Sequence, residues 1–267
     1  MARQKGRNEG KGWSPATGRA GRGAPRHAAA SAGADWVWGW RPVLAALANP
    51  ARAAPRRVVA TAERARQLAA QAPGAPAEIL DAAAIARLLP QGATHQGVAL
   101  KAAPLEPVDL ETLASPAAGV LVMLDQVTDP QNVGAIARSA VAFGARGLIL
   151  QDRHAPAFTG VLAKAAAGAL DALPHARVVN LARALDQLAD LGWRAVGLAG
   201  EAEAELAEVL DERPTVLVLG SEGEGLRRLV GEHCDTLARI PMPGGFASLN
   251  VSAAAAVALY EWVRARR

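Results

Sequence analysis

The feature that most constrains the fold is a series of short, almost wholly apolar runs, most of them followed by a turn and a segment of helical length. Runs such as Val120–Leu124 and Val216–Leu219 are continuous rather than alternating with polar residues. Continuous runs of this kind are typical of strands buried on both faces of a parallel sheet. They predict an α/β fold with a mainly parallel sheet. Its predicted strands are Val120–Leu124, Gly147–Leu150, Arg177–Val179, Ala195–Leu198, Val216–Leu219 and Thr236–Ile240.

Composition divides the chain into four stretches. Residues 1–34 hold seven glycines, two prolines and scattered charge, so they lack the apolar surface that would offset the entropy of folding. We predict that they form a disordered basic tail. In residues 35–103, short strands alternate with helical segments, which predicts a small α/β domain. Residues 104–117 contain three prolines and little periodicity, as linkers do, and residues 118–267 carry the parallel sheet.

The charge of the chain is unevenly distributed. The net charge is +4 and the pI is about 9.8, but the tail carries +6, residues 35–104 carry +4 and residues 105–267 carry −6. A basic excess favours a nucleic-acid partner. In this chain only residues 1–104 have such an excess, so the charge argument for nucleic-acid binding applies to them alone. The tail either holds RNA phosphates or is a dispensable extension, and the sequence leaves both open.

Several classes of protein are excluded. The single cysteine, Cys234, rules out internal disulfides and a cysteine-based zinc site. Because His154, His175 and His233 are isolated in the sequence, we expect no metal. The most apolar stretch, Ala253–Leu259, is far shorter than the roughly 20 residues of a membrane helix, and the N-terminus lacks the apolar core of a secretory signal. We therefore expect a cytoplasmic protein with no membrane partner.

Three segments place polar residues where a strand gives way to a helix. The residues are Asn132 and Arg138 in the first segment, Glu222 in the second, and Ser248 with Asn250 in the third. Taken singly, each has an ordinary explanation as a helix cap, a solvated side chain or part of a turn. Because open α/β sheets bind ligands at the carboxyl ends of their strands, the three segments together predict a ligand site.

The glycine-rich segment Leu219–Leu226 narrows the choice of ligand. Its glycines follow the order G-x-x-G-x-G, which matches neither the dinucleotide fingerprint nor a phosphate loop. Glu222 and Glu224 would repel a phosphate. The loop therefore suits a ligand that is cationic or rich in hydroxyl and amino donors.

In order and spacing, these segments closely resemble the three signature motifs of the SpoU/TrmH (SPOUT) family of RNA ribose 2′-O-methyltransferases. They read N-V-G-A-I-A-R-S-A (Asn132–Ala140), L-G-S-E-G-E-G-L (Leu219–Leu226), and I-P-M with S-L-N-V-S (Ile240–Met242 and Ser248–Ser252). The first domain, through Gly39…Val43 and His95–Val98, is similar to the family's L30e-like substrate-binding domain. This two-domain arrangement is most similar to enzymes that methylate a guanosine of 23S rRNA.

The resemblance implies a trefoil-knotted sheet, a homodimer, an RNA substrate and S-adenosylmethionine as the cofactor. The implied cofactor-binding positions are Leu219, Gly220, Ile240, Met242 and Leu249. The implied catalytic positions are Asn132, Arg138, Glu222, Ser248 and Asn250. Arg138 would reach in from the partner subunit, bind a phosphate and help to activate the 2′-hydroxyl.

Two other functions remain open on the sequence. A sister enzyme of the same family acts on tRNA or on another rRNA nucleotide, as resistance-type methyltransferases do. A non-catalytic RNA-binding or ribosome-assembly protein keeps the fold but has no need of all five catalytic positions.

Overall fold

Two β-sheets organise the chain in the computed structural model, which describes residues 36–52, 57–153, 155, 156, 158, 160–245 and 248–266. The predicted disordered tail and His154 lie outside these residues. Among the described residues, no helix is both long enough and apolar enough to cross a membrane.

The first sheet has the strand order β1-β4-β2-β3, with β4 antiparallel to β1 and β2, and β3 parallel to β2. One helix follows each of the first three strands. Thr61 and Asp81 cap the second and third helices by accepting backbone N–H groups, as residues of these types do. The elements are β1 (Trp36–Trp38), α1 (Trp40–Ala48), β2 (Arg57–Ala60), α2 (Ala62–Gln71), β3 (Glu78–Ile79), α3 (Ala82–Arg87) and β4 (Val98–Lys101).

The second sheet has six strands, all parallel, in the order β10-β8-β9-β5-β6-β7. This confirms the α/β prediction with a mainly parallel sheet. Its strands are β5 (Val120–Leu124), β6 (Gly147–Gln151), β7 (His175–Val178), β8 (Arg194–Leu198), β9 (Thr215–Leu219) and β10 (Thr236–Ala238). The helices are α4 (Leu110–Ala114), α5 (Pro130–Ala142), α6 (Gly160–Ala166), α7 (Ala169–Ala172), α8 (Leu181–Asp190), α9 (Leu206–Val209), α10 (Arg228–Glu232) and α11 (Val251–Arg264).

Both faces of this sheet are buried. In β5, Val120, Val122 and Leu124 belong to one core cluster, whereas Leu121 and Met123 belong to another. Side chains alternate between the two faces of a strand, so a continuous apolar run supplies both clusters.

The strand order reverses at β5, because the chain passes from β5 outward through β6 to β7 and later places β9 on the other side of β5. Loops at the carboxyl ends of two such strands leave in opposite directions and open a crevice between them. The trefoil knot that the resemblance implies stays a prediction.

The stretch predicted as a linker contains a helix, α4. Leu113 and Ala114 of α4 are buried, and the Trp193 Nε1 donates to the Ala114 carbonyl at 2.9 Å. A helix of five residues is too short to show a helical period, and contact with a distant tryptophan stabilises it.

The helices of the second sheet pack closely against the first sheet. A Cβ on Gly160 would lie 1.9 Å from the Trp38 ring and 2.2 Å from the Trp36 carbonyl oxygen, so only glycine lets α6 approach β1. Nearby, the Arg52 guanidinium pairs with Asp171, and both side chains are almost fully buried. These contacts fix the first sheet against α6 and α7.

His175, at the start of β7, is a buried histidine that packs in the core. Its ring centroid lies 4.1 Å from that of Phe158, and only 3% of the residue is exposed. Burial, together with the nearby Arg177 charge, lowers the pKa of His175 to about 4.

We expect acid to destabilise the fold through His175. The unfolded histidine takes up a proton near its ordinary pKa of 6.5, whereas the folded one stays neutral down to about 4. Between these pH values the unfolded state therefore binds more protons, and stability falls as the pH falls. We expect the free energy of unfolding to fall between about pH 7 and about pH 4.5 by about 2 kcal/mol less in His175→Phe than in the wild type, as measured by urea unfolding. An equal loss in both proteins would contradict this role.

Candidate functional site

Three predicted site residues, Asn132, Glu222 and Asn250, form one hydrogen-bonded cluster beyond the carboxyl ends of the large sheet. The Asn132 Nδ2 donates to Glu222 Oε1 at 3.0 Å, and the Asn250 Nδ2 donates to Asn132 Oδ1 at 3.0 Å and also to Glu222 Oε1. None of the three is buried. The fold thus joins all three motifs in one polar cluster that a ligand can reach.

The starts of two helices hold this cluster in place. Asp129 caps α5 by accepting the Gln131 N–H at 3.1 Å, and Pro130 occupies the first turn, so Asn132 is fixed near the helix start. Asn250 caps α11 by accepting the Ser252 N–H at 2.9 Å. The Asn250 Oδ1 accepts the hydrogen bond that caps the helix, while its Nδ2 donates to the other two residues of the cluster.

Beside the cluster, a crevice of about 440 Å³ lies among the loops that follow β8, β9 and β10. Glu222 and Ser248 line it, and so do the five positions that the resemblance assigns to the cofactor, Leu219, Gly220, Ile240, Met242 and Leu249. Sequence reasoning missed the loop after β8, Ala199–Glu201, which also lines the crevice. The only signal in the sequence was that this loop follows an apolar strand. The sequence does not show that β8 lies beside β9, which is what brings the loop to the crevice.

Gly220 sets the shape of the crevice. A Cβ at this position would lie 2.0 Å from the Gly225 carbonyl carbon and 2.4 Å from the Leu226 nitrogen. The chain therefore turns back on itself at a distance that only glycine allows. Ser221 and Gly225 close the turn with two backbone hydrogen bonds of 3.0 and 3.1 Å.

An ion pair between the buried Asp125 and the partly exposed Arg227 anchors this glycine-rich loop, and sequence reasoning missed it. Asp125, at the end of β5, is fully buried and accepts the Arg227 N–H at 2.9 Å and its Nε at 2.7 Å. The Arg227 Nη2 also donates to Gln151 Oε1 at 3.1 Å. The pair ties the end of the loop to the carboxyl ends of β5 and β6.

The crevice carries negative charge from three carboxylates, Glu201, Glu222 and Glu224. Lysine and arginine are absent from its lining residues, as far as the described part of the chain goes. The described residues also contain no group of three or more histidine, cysteine or acidic side chains placed to hold a metal ion. A positively charged small molecule suits this environment.

Arg138 lies apart from the other predicted site residues. It is exposed on α5 and lines a different, more open depression of about 830 Å³, shared with Arg41, Phe143 and Ala253. Within one chain, therefore, the fold unites Asn132, Glu222 and Asn250 and leaves Arg138 outside the crevice.

A crevice at the carboxyl ends of a parallel sheet, joined to a second small α/β module, defines a two-part protein of the α/β class with a place for a ligand. The family model described as SpoU rRNA Methylase family matches residues 119–260. The chain belongs to this family. A second model, described as RNA 2′-O ribose methyltransferase substrate binding, matches residues 36–108.

Curated relatives share close to half of the matched sequence. The chain is 49% identical over 181 residues to the 23S rRNA (guanosine-2′-O-)-methyltransferase RlmB of Xylella fastidiosa. The match covers 66% of this chain and 72% of that protein. It is 45% identical to an uncharacterized tRNA/rRNA methyltransferase of Synechocystis, over 65% of this chain and 47% of the relative. The chain thus spans about half the length of that relative.

A solved structure shares the architecture. The SpoU methyltransferase AviRb from Streptomyces viridochromogenes, in complex with the cofactor AdoMet, superposes with a TM-score of 0.73 at 28% identity. The match covers 86% of this chain and 89% of that one.

Replacing Asp125 by asparagine should destabilise the protein by about 2 kcal/mol, because the fully buried carboxylate loses its charge-assisted hydrogen bonds to the partly exposed Arg227. The matched control is Glu232→Gln, which removes an exposed pair with Arg228 on α10 and should cost about 0.5 kcal/mol or less. Urea unfolding followed by circular dichroism measures both. Equal losses in the two variants would show that the Asp125 pair is not the anchor of this loop.

Proposed function

We propose that this protein transfers a methyl group from S-adenosylmethionine to a ribose 2′-oxygen of RNA, and that its target is a guanosine of 23S rRNA. The observation that carries the proposal is the acidic crevice beside the Asn132–Glu222–Asn250 cluster in a chain of the SpoU family. The named activity of the Xylella relative supports the choice of nucleotide and of RNA. Ribosomal RNA would place the protein in the cytoplasm.

The crevice residues fit this cofactor. Gly220 keeps the loop backbone free of a side chain where it turns, and Ile240 and Leu249 offer apolar walls. The carboxylates of Glu201, Glu222 and Glu224 suit a ligand with a positive charge. The AdoMet complex of the AviRb neighbour supports the same assignment.

When bound, S-adenosylmethionine supplies a methyl group on a cationic sulfur, which is a good leaving group. The protein must then orient the ribose and help the 2′-hydroxyl to lose its proton. Asn132 and Asn250 offer amide groups to the target nucleotide beside the crevice, and Ser248 lines the crevice itself. Arg138 binds the neighbouring phosphate, which lowers the cost of negative charge on the 2′-oxygen.

Because Arg138 lies outside the crevice of its own chain, we propose that it acts in the crevice of a second copy. The face that carries it offers apolar residues for such a contact. Val141 on α5 and Val257 and Tyr260 on α11 are all exposed, and the Tyr260 ring packs edge-on against Phe143 at 6.2 Å. Exposed apolar surface of this kind marks interfaces.

Methylation of rRNA and tRNA, mapped with and without the protein, tests the choice of substrate. A new 2′-O-methyl group at a 23S guanosine is the expected result. A mark on tRNA or on another rRNA nucleotide would favour a sister activity. Failure to bind S-adenosylmethionine at millimolar concentration would favour a non-catalytic RNA-binding protein.

We expect Arg138→Ala to lower the methylation rate by about 100-fold or more while leaving cofactor affinity unchanged, because the arginine assists proton removal and not cofactor binding. The matched control is Arg183→Ala, an exposed arginine on α8 that should keep full activity. Single-turnover methylation and calorimetric titration measure the two quantities. Normal methylation by Arg138→Ala would overturn the proposed role.

Tyr260→Asp should convert a dimer into monomers and reduce methylation, since Arg138 would no longer reach a partner's crevice. Val179→Asp, at a similarly exposed valine beyond β7, is the control and should leave the mass unchanged. Size-exclusion chromatography with light scattering measures the mass. A wild-type protein that is monomeric and active would contradict the shared site.

A further inference from the structure

A second polar pocket lies where the start of α1, the loop before β4, α2 and α6 meet. Its volume is about 260 Å³. We call it the cationic pocket and define it by Trp40, Arg41, Arg64, Gln96 and Lys164, which line it. Four of these residues come from the first module and Lys164 comes from α6, so the pocket exists only when the two modules are packed together.

Hydrogen bonds fix the geometry of the cationic pocket. Gln96 adopts a left-handed backbone conformation with φ of 55° and accepts the Trp40 N–H through its Oε1 at 2.9 Å. The Arg64 Nε donates to the Gln96 carbonyl at 3.0 Å, and its guanidinium carbon lies 4.8 Å from the centre of the Trp40 ring. Arg64 is thus held in one orientation rather than free in solvent.

Lys164 supplies a positive charge that pairs with no carboxylate among the residues that the structure describes. Its Nζ lies 2.6 Å from the place where a Cβ of Gly39 would be, and Gly39 has a φ of 95° that favours glycine. Burial lowers the pKa of Lys164 below its ordinary value. Within the described ranges, neither a carboxylate nor any other acidic group lines this pocket.

Three cations around one cavity repel one another unless an anion lies between them. A volume of about 260 Å³ exceeds by several times the roughly 30 Å³ that one water occupies, so it can hold a phosphate group. Arginine and lysine are the residues that bind phosphate in proteins.

The cationic pocket connects with the depression that holds Arg138. Arg41 and Ala167 line both, so Arg41 lies between Arg64 and Lys164 on one side and Arg138 on the other. A free anion would occupy either the cationic pocket or the depression that holds Arg138, whereas a polymer with several phosphates can occupy both. Because the two cavities are joined, the arrangement favours the polymer.

We propose that the cationic pocket binds a backbone phosphate of the RNA substrate, on the same chain as the Arg138 that approaches the target nucleotide. This inference rests on the proposed function, and it adds Lys164, a residue of the methyltransferase module, to the groups that hold RNA. The module that carries α6 would then hold RNA through Lys164 as well as through Arg138.

The test is the salt dependence of RNA binding by the full chain, measured by filter binding to an unmodified transcript of 23S rRNA. Each phosphate contact that is lost lowers the slope of log affinity against log salt by about one. We expect Lys164→Gln to weaken binding and to reduce this slope by about one. Arg41→Gln, an exposed position whose change leaves the fold intact, should do the same.

Lys101→Gln is the matched control, because Lys101 is a partly exposed lysine at the end of β4 that does not line the cationic pocket. It should leave both affinity and slope unchanged. Slopes equal to the wild-type value in Lys164→Gln and Arg41→Gln would overturn the proposal. Binding of inorganic phosphate by the wild type but not by either variant, with unchanged slopes for RNA, would overturn the proposal and indicate a free-phosphate site instead.

Failure of this inference is distinguishable from failure of the proposed function. A wild-type protein that binds S-adenosylmethionine and methylates RNA, with variant slopes that do not change, would reject the cationic pocket alone. A wild-type protein that neither binds the cofactor nor methylates RNA would reject the proposed function, whatever the slopes are.

Discussion

The ion pair between the buried Asp125 and the partly exposed Arg227 is the interaction on which the site depends. Asp125 directly follows β5, the strand at which the sheet order reverses, and it holds the far end of the glycine-rich loop through two hydrogen bonds. A buried carboxylate without a partner would be costly, so the loop end is strongly fixed. The position of Glu222, and through it the contacts of Asn132 and Asn250, follows from this anchor.

A capping residue can also build a polar cluster, because its side chain has separate atoms for the two sets of hydrogen bonds. The Asn250 side chain uses its oxygen to start α11 and its amide nitrogen to bind Asn132 and Glu222. The two uses draw on different atoms, so neither weakens the other. A cap is also rigid, because it is tied to a helix, and rigid elements position functional groups well.

Much of the fold could be predicted because a strand that is buried on both faces has a continuous apolar sequence, as β5 and β9 do. The short helix α4 left no such trace, since its stability comes from the distant Trp193. The three strand-to-helix segments together predicted a ligand site, but the roles of its residues came only from the family's motifs, because Asn132 and Asn250 taken singly look like ordinary helix-start residues. The Asp125–Arg227 pair could not be predicted, since the residues are 102 positions apart and nothing local links them.

The uneven charge of the sequence corresponds to two separate places in the structure. The crevice is acidic and the cationic pocket is basic, and they share no lining residue. Charges more than about 8 to 10 Å apart are largely screened at physiological salt, so opposite sites on one surface need not cancel. If RNA phosphates lie at Arg41, Lys164 and Arg138, the carboxylates of the crevice repel the phosphates and leave only the ribose to approach. The same acidic residues that attract a cationic cofactor would then help to select which part of the nucleotide enters.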